Sequence, residues 1–313
     1  MSPRAKATLV LVVSAPILTE IVSGNTLAHA LLDPRIDLFL LVAYSLPVLV
    51  IRELALRWRL PAAGVFLLGL AYGIWNEGLL AQTLLRFEHV PINRFDHYLY
   101  AAGFNFSWTA VIVPWHALLA VAFPLALVHG LFPSCAQLRW LGDRVFSVLA
   151  SILIAVIVFI SVARRPHVQM LACLLGISLF VSASFLLSGR EARGSAPNSN
   201  RVYPFGFGAV AYVTWIIGAV LLAAHRVPSS AYFFVVAGSL AALAIVAVHL
   251  DFMEIPASSR LALGAYFAAA SFNAAVGVAG RSLERILTGA ILAVAFLALS
   301  FAMLHGESRR DSV

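Results

Sequence analysis

The chain has 313 residues, 62% of them apolar and only 11% Asp, Glu, Lys or Arg, and its mean hydropathy is +0.94. Soluble domains carry roughly a quarter charged residues, so this chain lacks the polar surface that water demands. Soluble enzymes, disordered tails, collagen-like chains and disulfide-rich secreted proteins are excluded. The net charge of +7 rests on arginines and a single lysine, Lys6. They fall at the ends of apolar runs, where they anchor helices to lipid headgroups, which argues for membrane lipid and against nucleic acid as partner.

A bilayer core takes about 20 apolar residues per helix. Ten segments meet that requirement, near 7–23, 37–57, 61–85, 106–131, 145–163, 167–188, 205–225, 230–250, 261–280 and 286–305. The first follows Arg4 and Lys6 as a signal peptide would. It contains Pro16 and Glu20 and has no clear small-x-small cleavage site, so it reads as an uncleaved helix. The fifth and sixth divide at Ala163-Arg164-Arg165-Pro166, an interfacial break. Cys135 follows one apolar run and Cys173 lies inside another, which is no disulfide framework. The expected fold is an all-α polytopic transmembrane helix bundle of about ten spans.

Assigning Lys and Arg to the two sides of such a bundle puts 13 with the N-terminus and 8 opposite. The positive-inside rule then makes both termini cytoplasmic in a plasma membrane of the bacterial inner-membrane type.

Polarity divides the chain into unlike halves. Residues 1–133 hold four spans that contain Glu20, Arg52, Glu53, Asn76, Glu77, Gln82 and His116, with Pro16, Pro47, Pro114 and Pro124 inside them. Residues 134–313 hold six plainer spans and a cytoplasmic linker near 189–204. Each interior proline removes one helical hydrogen bond and frees a carbonyl, which lipid cannot satisfy. Intramembrane charge carries the same implication. The working site is therefore expected in the first half, and the stretch 145–306 as scaffold, lipid-facing surface or oligomer interface.

Glu77 is the leading candidate. Gly69, Gly73, Glu77 and Ala81 recur every four residues, a small-residue stripe that admits a neighbouring helix and turns Glu77 toward protein. The bland alternative is a hydrogen-bonded carboxyl that merely joins helices. His116 lies ten residues into the fourth span, about 15 Å along the helix, near the depth of Glu77; it reads either as a proton carrier or as a histidine bonded to a free carbonyl. Glu77 and His116 form the expected catalytic pair. Glu20, Asn76, Asp96 and His97 are the expected substrate-binding residues, the last two on a polar connector, 86–105, that is long for a turn. The His89, Asp96 and His97 spacing matches no tight zinc signature, so no metal is expected. No cofactor motif appears. The Arg52–Arg57 cluster, with Glu53 and Arg57 in i,i+4 order, reads as an interfacial anchor. Asn105-Phe106-Ser107 spells a glycosylation sequon, but it abuts a span.

Gly73-Ile74-Trp75-Asn76-Glu77-Gly78, followed by the intramembrane His116, resembles the glutamate helix and downstream histidine of the glutamate intramembrane peptidases, the CAAX-protease and PrsW-like superfamily. The resemblance implies that Glu77 and His116 activate water. Asn76 stands where that family has its first glutamate, and neither a phenylalanine four residues before the histidine nor a later His-x-x-x-Asn is present. Missing glutamate chemistry implies a non-peptidase relative. Three functions therefore compete: a transporter or lipid- or small-molecule-handling protein with an outward-facing Glu/His site, an intramembrane hydrolase, and a non-catalytic assembly subunit.

Overall fold

The computed structural model describes residues 1–85, 100–163, 168–189, 203–223, 236, 237, 246 and 255–310. It is an all-α helix bundle. Helix α1 spans Pro3–Pro16 and continues as a π turn over Ile17–Ile21. Next come α2 (Pro34–Leu40), a π turn (Leu41–Ser45) and α3 (Leu46–Arg57), then α4 (Ala62–Ile74) with its own π turn (Trp75–Leu80). A fourth segment with a π turn comprises α5 (Phe106–Trp115), the turn itself (His116–Ala122) and α6 (Phe123–Leu131). The remaining helices are α7 (Asp143–Ala163), α8 (Val168–Phe185), α9 (Tyr203–Ala223), α10 (Ile255–Ala279) and α11 (Leu283–Arg310).

Eight of the described helical segments are long and apolar enough to cross a membrane. The first helix is not among them, since it carries Arg4, Lys6 and Glu20. The expected 230–250 span lies mostly outside the described residues, as do Ala163-Arg164-Arg165-Pro166 beyond its alanine and most of the 189–204 linker.

Burial varies from span to span: of the most apolar stretch of Phe106–Leu131, 89% is enclosed by protein, against 6% in Asp143–Ala163 and 61% in Ala257–Ala279. One finding modifies the plain-scaffold reading of the second half: α10 packs on the 106–131 span, where Ser259 donates to the Ala126 carbonyl of α6 (2.8 Å) and Tyr266 to the Leu119 carbonyl of the preceding π turn (2.8 Å). This helix is part of the core around the first four spans, not an outer layer.

Two interior prolines show how a freed carbonyl is satisfied inside the bundle. Proline at position i leaves the carbonyl of residue i−4 without its helical donor. For Pro16 that carbonyl belongs to Val12, which accepts from Ser45 Oγ (2.6 Å). For Pro47 it belongs to Ala43, which accepts from the Tyr72 hydroxyl (2.8 Å). These two breaks are thus answered by a hydroxyl from a neighbouring span, as a bilayer interior requires.

The small-residue stripe does what its spacing predicts. A Cβ at Gly69 would stand 2.7 Å from Ala117 Cα, and one at Gly73 would stand 2.8 Å from the Val113 carbonyl oxygen and 3.2 Å from His116 Cβ. Only glycine lets α4 approach the 106–131 span this closely, and that approach brings Glu77 to His116.

The anchor reading of Arg52–Arg57 needs correction. Arg52 and Glu53 are 1% and 0% exposed, and Glu53 pairs with both Arg52 and Arg57. The cluster is a buried hub because the segment Cys135–Leu141 folds over it with backbone donors and acceptors. Asn105, the supposed sequon residue, is fully buried and caps α5 by accepting from the Trp108 N–H (3.0 Å).

Candidate proton site between four kinked helices

Among the described residues there are four π-helical segments, 17–21, 41–45, 75–80 and 116–122. Each contributes to a single polar cluster: Glu20, Tyr44, Asn76 with Glu77, and His116 respectively. A π turn widens the helix by one residue and commonly marks a functional position.

The cluster forms a chain. Glu20 accepts from Thr26 Oγ1 (2.6 Å) on one oxygen and from the Tyr44 hydroxyl on the other. The Tyr44 ring stacks on the His116 imidazole with centroids 6.2 Å apart and an angle of 11° between planes. His116 Nε2 faces Glu77 Oε1 at 3.5 Å. Glu77 Oε2 accepts from Thr83 Oγ1, which itself accepts from the Trp108 indole N–H (2.9 Å). Tyr72 closes the other side: its ring lies edge-on to His116 at 5.6 Å and its hydroxyl accepts from Asn76 Nδ2 (3.0 Å).

The hydrogen-bond directions fix the chemistry at the centre. His116 Nδ1 lies 3.0 Å from the Ile112 carbonyl. A carbonyl can only accept, so Nδ1 carries hydrogen and a neutral imidazole presents a bare lone pair at Nε2. Trp108 supplies Thr83 with a donor, leaving the threonine hydrogen for Glu77 Oε2. Glu77 Oε1 and His116 Nε2 are then two acceptors face to face unless a proton rests on one of them. Both residues are buried, at 8% and 2% exposure, so an unscreened lone-pair repulsion is not relieved by solvent. Consistent with this, Nε2 has no hydrogen-bond partner at its present separation. A hydrogen on either atom would turn this contact into a hydrogen bond or an ion pair.

The structure therefore brings Glu20, Glu77 and His116 into one cluster. Asn76 joins it at one remove, through Tyr72 and the Ala43 carbonyl (3.5 Å). Asp96 and His97 lie outside the described residues. Sequence reasoning missed Tyr44, Tyr72, Thr83 and Trp108. The readable signal for Tyr72 was Pro47, whose freed carbonyl at Ala43 required a donor from another span. Among the described residues no set of three His, Cys, Asp or Glu side chains is grouped to hold a metal ion.

The fold and its apolar spans define a multipass integral membrane protein. The chain belongs to an uncharacterized membrane protein family, whose sequence model matches residues 9–306. No match was found among curated proteins or among solved structures.

Proposed function

We propose that the protein is a proton-coupled carrier for a small molecule or lipid in a plasma membrane of the bacterial type, with both termini cytoplasmic. Glu77 and His116 take up and return the proton. The observation that carries this reading is the 3.5 Å approach of two buried acceptors whose other atoms are already committed. Binding of substrate or a small rotation of either π turn changes that separation and with it the pair's hold on the proton. Broken helices that meet at a buried polar site are the usual architecture of alternating access, and buried intramembrane carboxylates serve proton relays.

The test uses proteoliposomes with a pH-sensitive dye inside, challenged with a panel of small organic solutes and lipid precursors. A solute that moves protons through the parent protein but not through Glu77→Gln or His116→Gln supports the carrier. Solute uptake that is equal in all three without proton movement contradicts it.

An intramembrane hydrolase is the second reading, favoured by the same pairing and by the resemblance to glutamate peptidases. Asn76 weakens it. At the position of that family's first glutamate, it bonds Tyr72 and not His116, so a hydrolytic centre would have one carboxylate beside the histidine. Cleavage of a peptide or lipid ester by the parent, lost in Glu77→Gln, would favour this reading. A fully functional Glu77→Gln variant would instead leave an assembly role.

A further inference from the structure

The second half of the chain reaches the Glu20 end of the polar cluster through the corner between α10 and α11. The π turn that closes the first helix ends at Ile21, and the last carbonyls of a helix lack donors of their own. The Ile21 carbonyl accepts from the Gly24 N–H (3.1 Å) and from Nδ2 of Asn273 on α10 (3.3 Å). Asn273 is 2% exposed, and its Oδ1 accepts from Nη1 of Arg285 on α11 (3.2 Å). An arginine can only donate and a carbonyl can only accept, so these two partners fix which way the Asn273 amide lies.

The turn that leaves the first helix is fitted to this amide. Gly24 has φ +76°, and a Cβ there would stand 2.2 Å from Asn273 Oδ1 and 2.7 Å from Arg285 Nη1. The chain then folds back on Glu20: the Thr26 N–H donates to the Glu20 carbonyl (3.1 Å), and Thr26 Oγ1 donates to Glu20 Oε2 (2.6 Å). Glu20 Oε1 takes the Tyr44 hydroxyl, and the Tyr44 ring stacks on His116. Glu284, beside Arg285, accepts from the His29 N–H (2.8 Å), so α11 grips the chain on the far side of the turn as well.

We propose that Asn273 and Arg285 are positioning residues for Glu20. Their hydrogen bonds go to the Ile21 backbone and to each other, not to the carboxylate. They set the 21–26 turn, the turn sets Thr26, and Thr26 with Tyr44 holds the Glu20 side chain in the cluster. A shift of the α10–α11 corner is thereby passed to the ring that stacks on His116. This gives the second half of the chain a part in the site; it deepens the carrier reading and rests on that reading for its purpose. The competing account is packing alone, in which Asn273 joins helices without setting Glu20.

The experiment is solid-state NMR on the full-length protein in lipid, labelled with ¹³C-glutamate and ¹³C-tyrosine. It reads the through-space cross-peak between the Glu20 carboxyl carbon and Tyr44 Cζ, assigned by its loss in Tyr44→Phe. Asn273→Leu removes both amide bonds without changing charge and should lose the cross-peak, as should Arg285→Met. Ser259→Ala removes a bond between α10 and the Ala126 carbonyl about 21 Å along the helix from Asn273, and should keep the cross-peak of the parent. If Asn273→Leu does not give a monodisperse protein, Arg285→Met decides alone. The proposal is overturned by a cross-peak unchanged in folded Asn273→Leu or Arg285→Met, by equal loss in Ser259→Ala, or by no cross-peak in the parent. The measurement involves no transport, so its failure is separate from failure of the carrier reading.

Discussion

His116 Nε2 stands 3.5 Å from Glu77 Oε1, on helices that two glycines, Gly69 and Gly73, allow to touch backbone to backbone. The close helix approach and the Glu77–His116 contact are one feature: remove the glycines and the two acceptors no longer meet.

Gly73→Ala tests that link. The added Cβ would meet the Val113 carbonyl oxygen at 2.8 Å, and a backbone atom cannot rotate away. Overpacking of this kind costs about 1–3 kcal/mol. Thermal unfolding in detergent should show a clear loss for Gly73→Ala, while Glu77→Gln, which keeps its shape, should remain near the parent.

The pairing of Pro47 with Tyr72 predicts a non-additive double mutant. Tyr72→Phe leaves the buried Ala43 carbonyl only the long 3.5 Å contact from Asn76 Nδ2, at a cost of about 1–3 kcal/mol. Pro47→Ala restores a backbone N–H for that carbonyl, so the same Tyr72→Phe change should cost markedly less in the Pro47→Ala background. Equal costs in both backgrounds, read from a four-member stability cycle, would refute the assignment.

Glu53 and Asp143 both pair with Arg57 but differ in burial. Removing the buried member leaves the buried Arg52 guanidinium without a carboxylate, so Glu53→Ala should lose about 3–5 kcal/mol or fail to accumulate. Asp143→Ala removes an exposed carboxylate and should leave the melting transition unchanged. Expression level and detergent stability of the two variants check both outcomes.

Much of this was legible in the sequence, for physical reasons that also mark where legibility ended. Span length and hydropathy set the bundle, and a four-residue glycine period aimed Glu77 at a neighbour. Counting residues put His116 at the level of Glu77, and the two side chains meet. Tyr44 was not legible, because an aromatic residue inside an apolar run looks like ordinary lipid-facing or core packing, and Pro47 called for a donor to Ala43 without singling out Tyr72. The π turns were equally hidden: a one-residue widening leaves no change in composition. Arg52 and Glu53 misled because charge at a span end usually meets headgroups, and only the tertiary fold shows Cys135–Leu141 closing over them.

The central claim is that Glu77 and His116 hold one proton between them. Solid-state NMR on protein labelled with ¹⁵N-histidine and ¹³C-glutamate, reconstituted in lipid and followed across pH, measures this directly. The account predicts that the Glu77 carboxyl carbon and His116 Nε2 change together with a single midpoint, that Nδ1 stays protonated throughout, and that Glu77→Gln abolishes the His116 transition seen in the parent over that range. Separate midpoints for the two residues, or an unaltered His116 transition in Glu77→Gln, would contradict it.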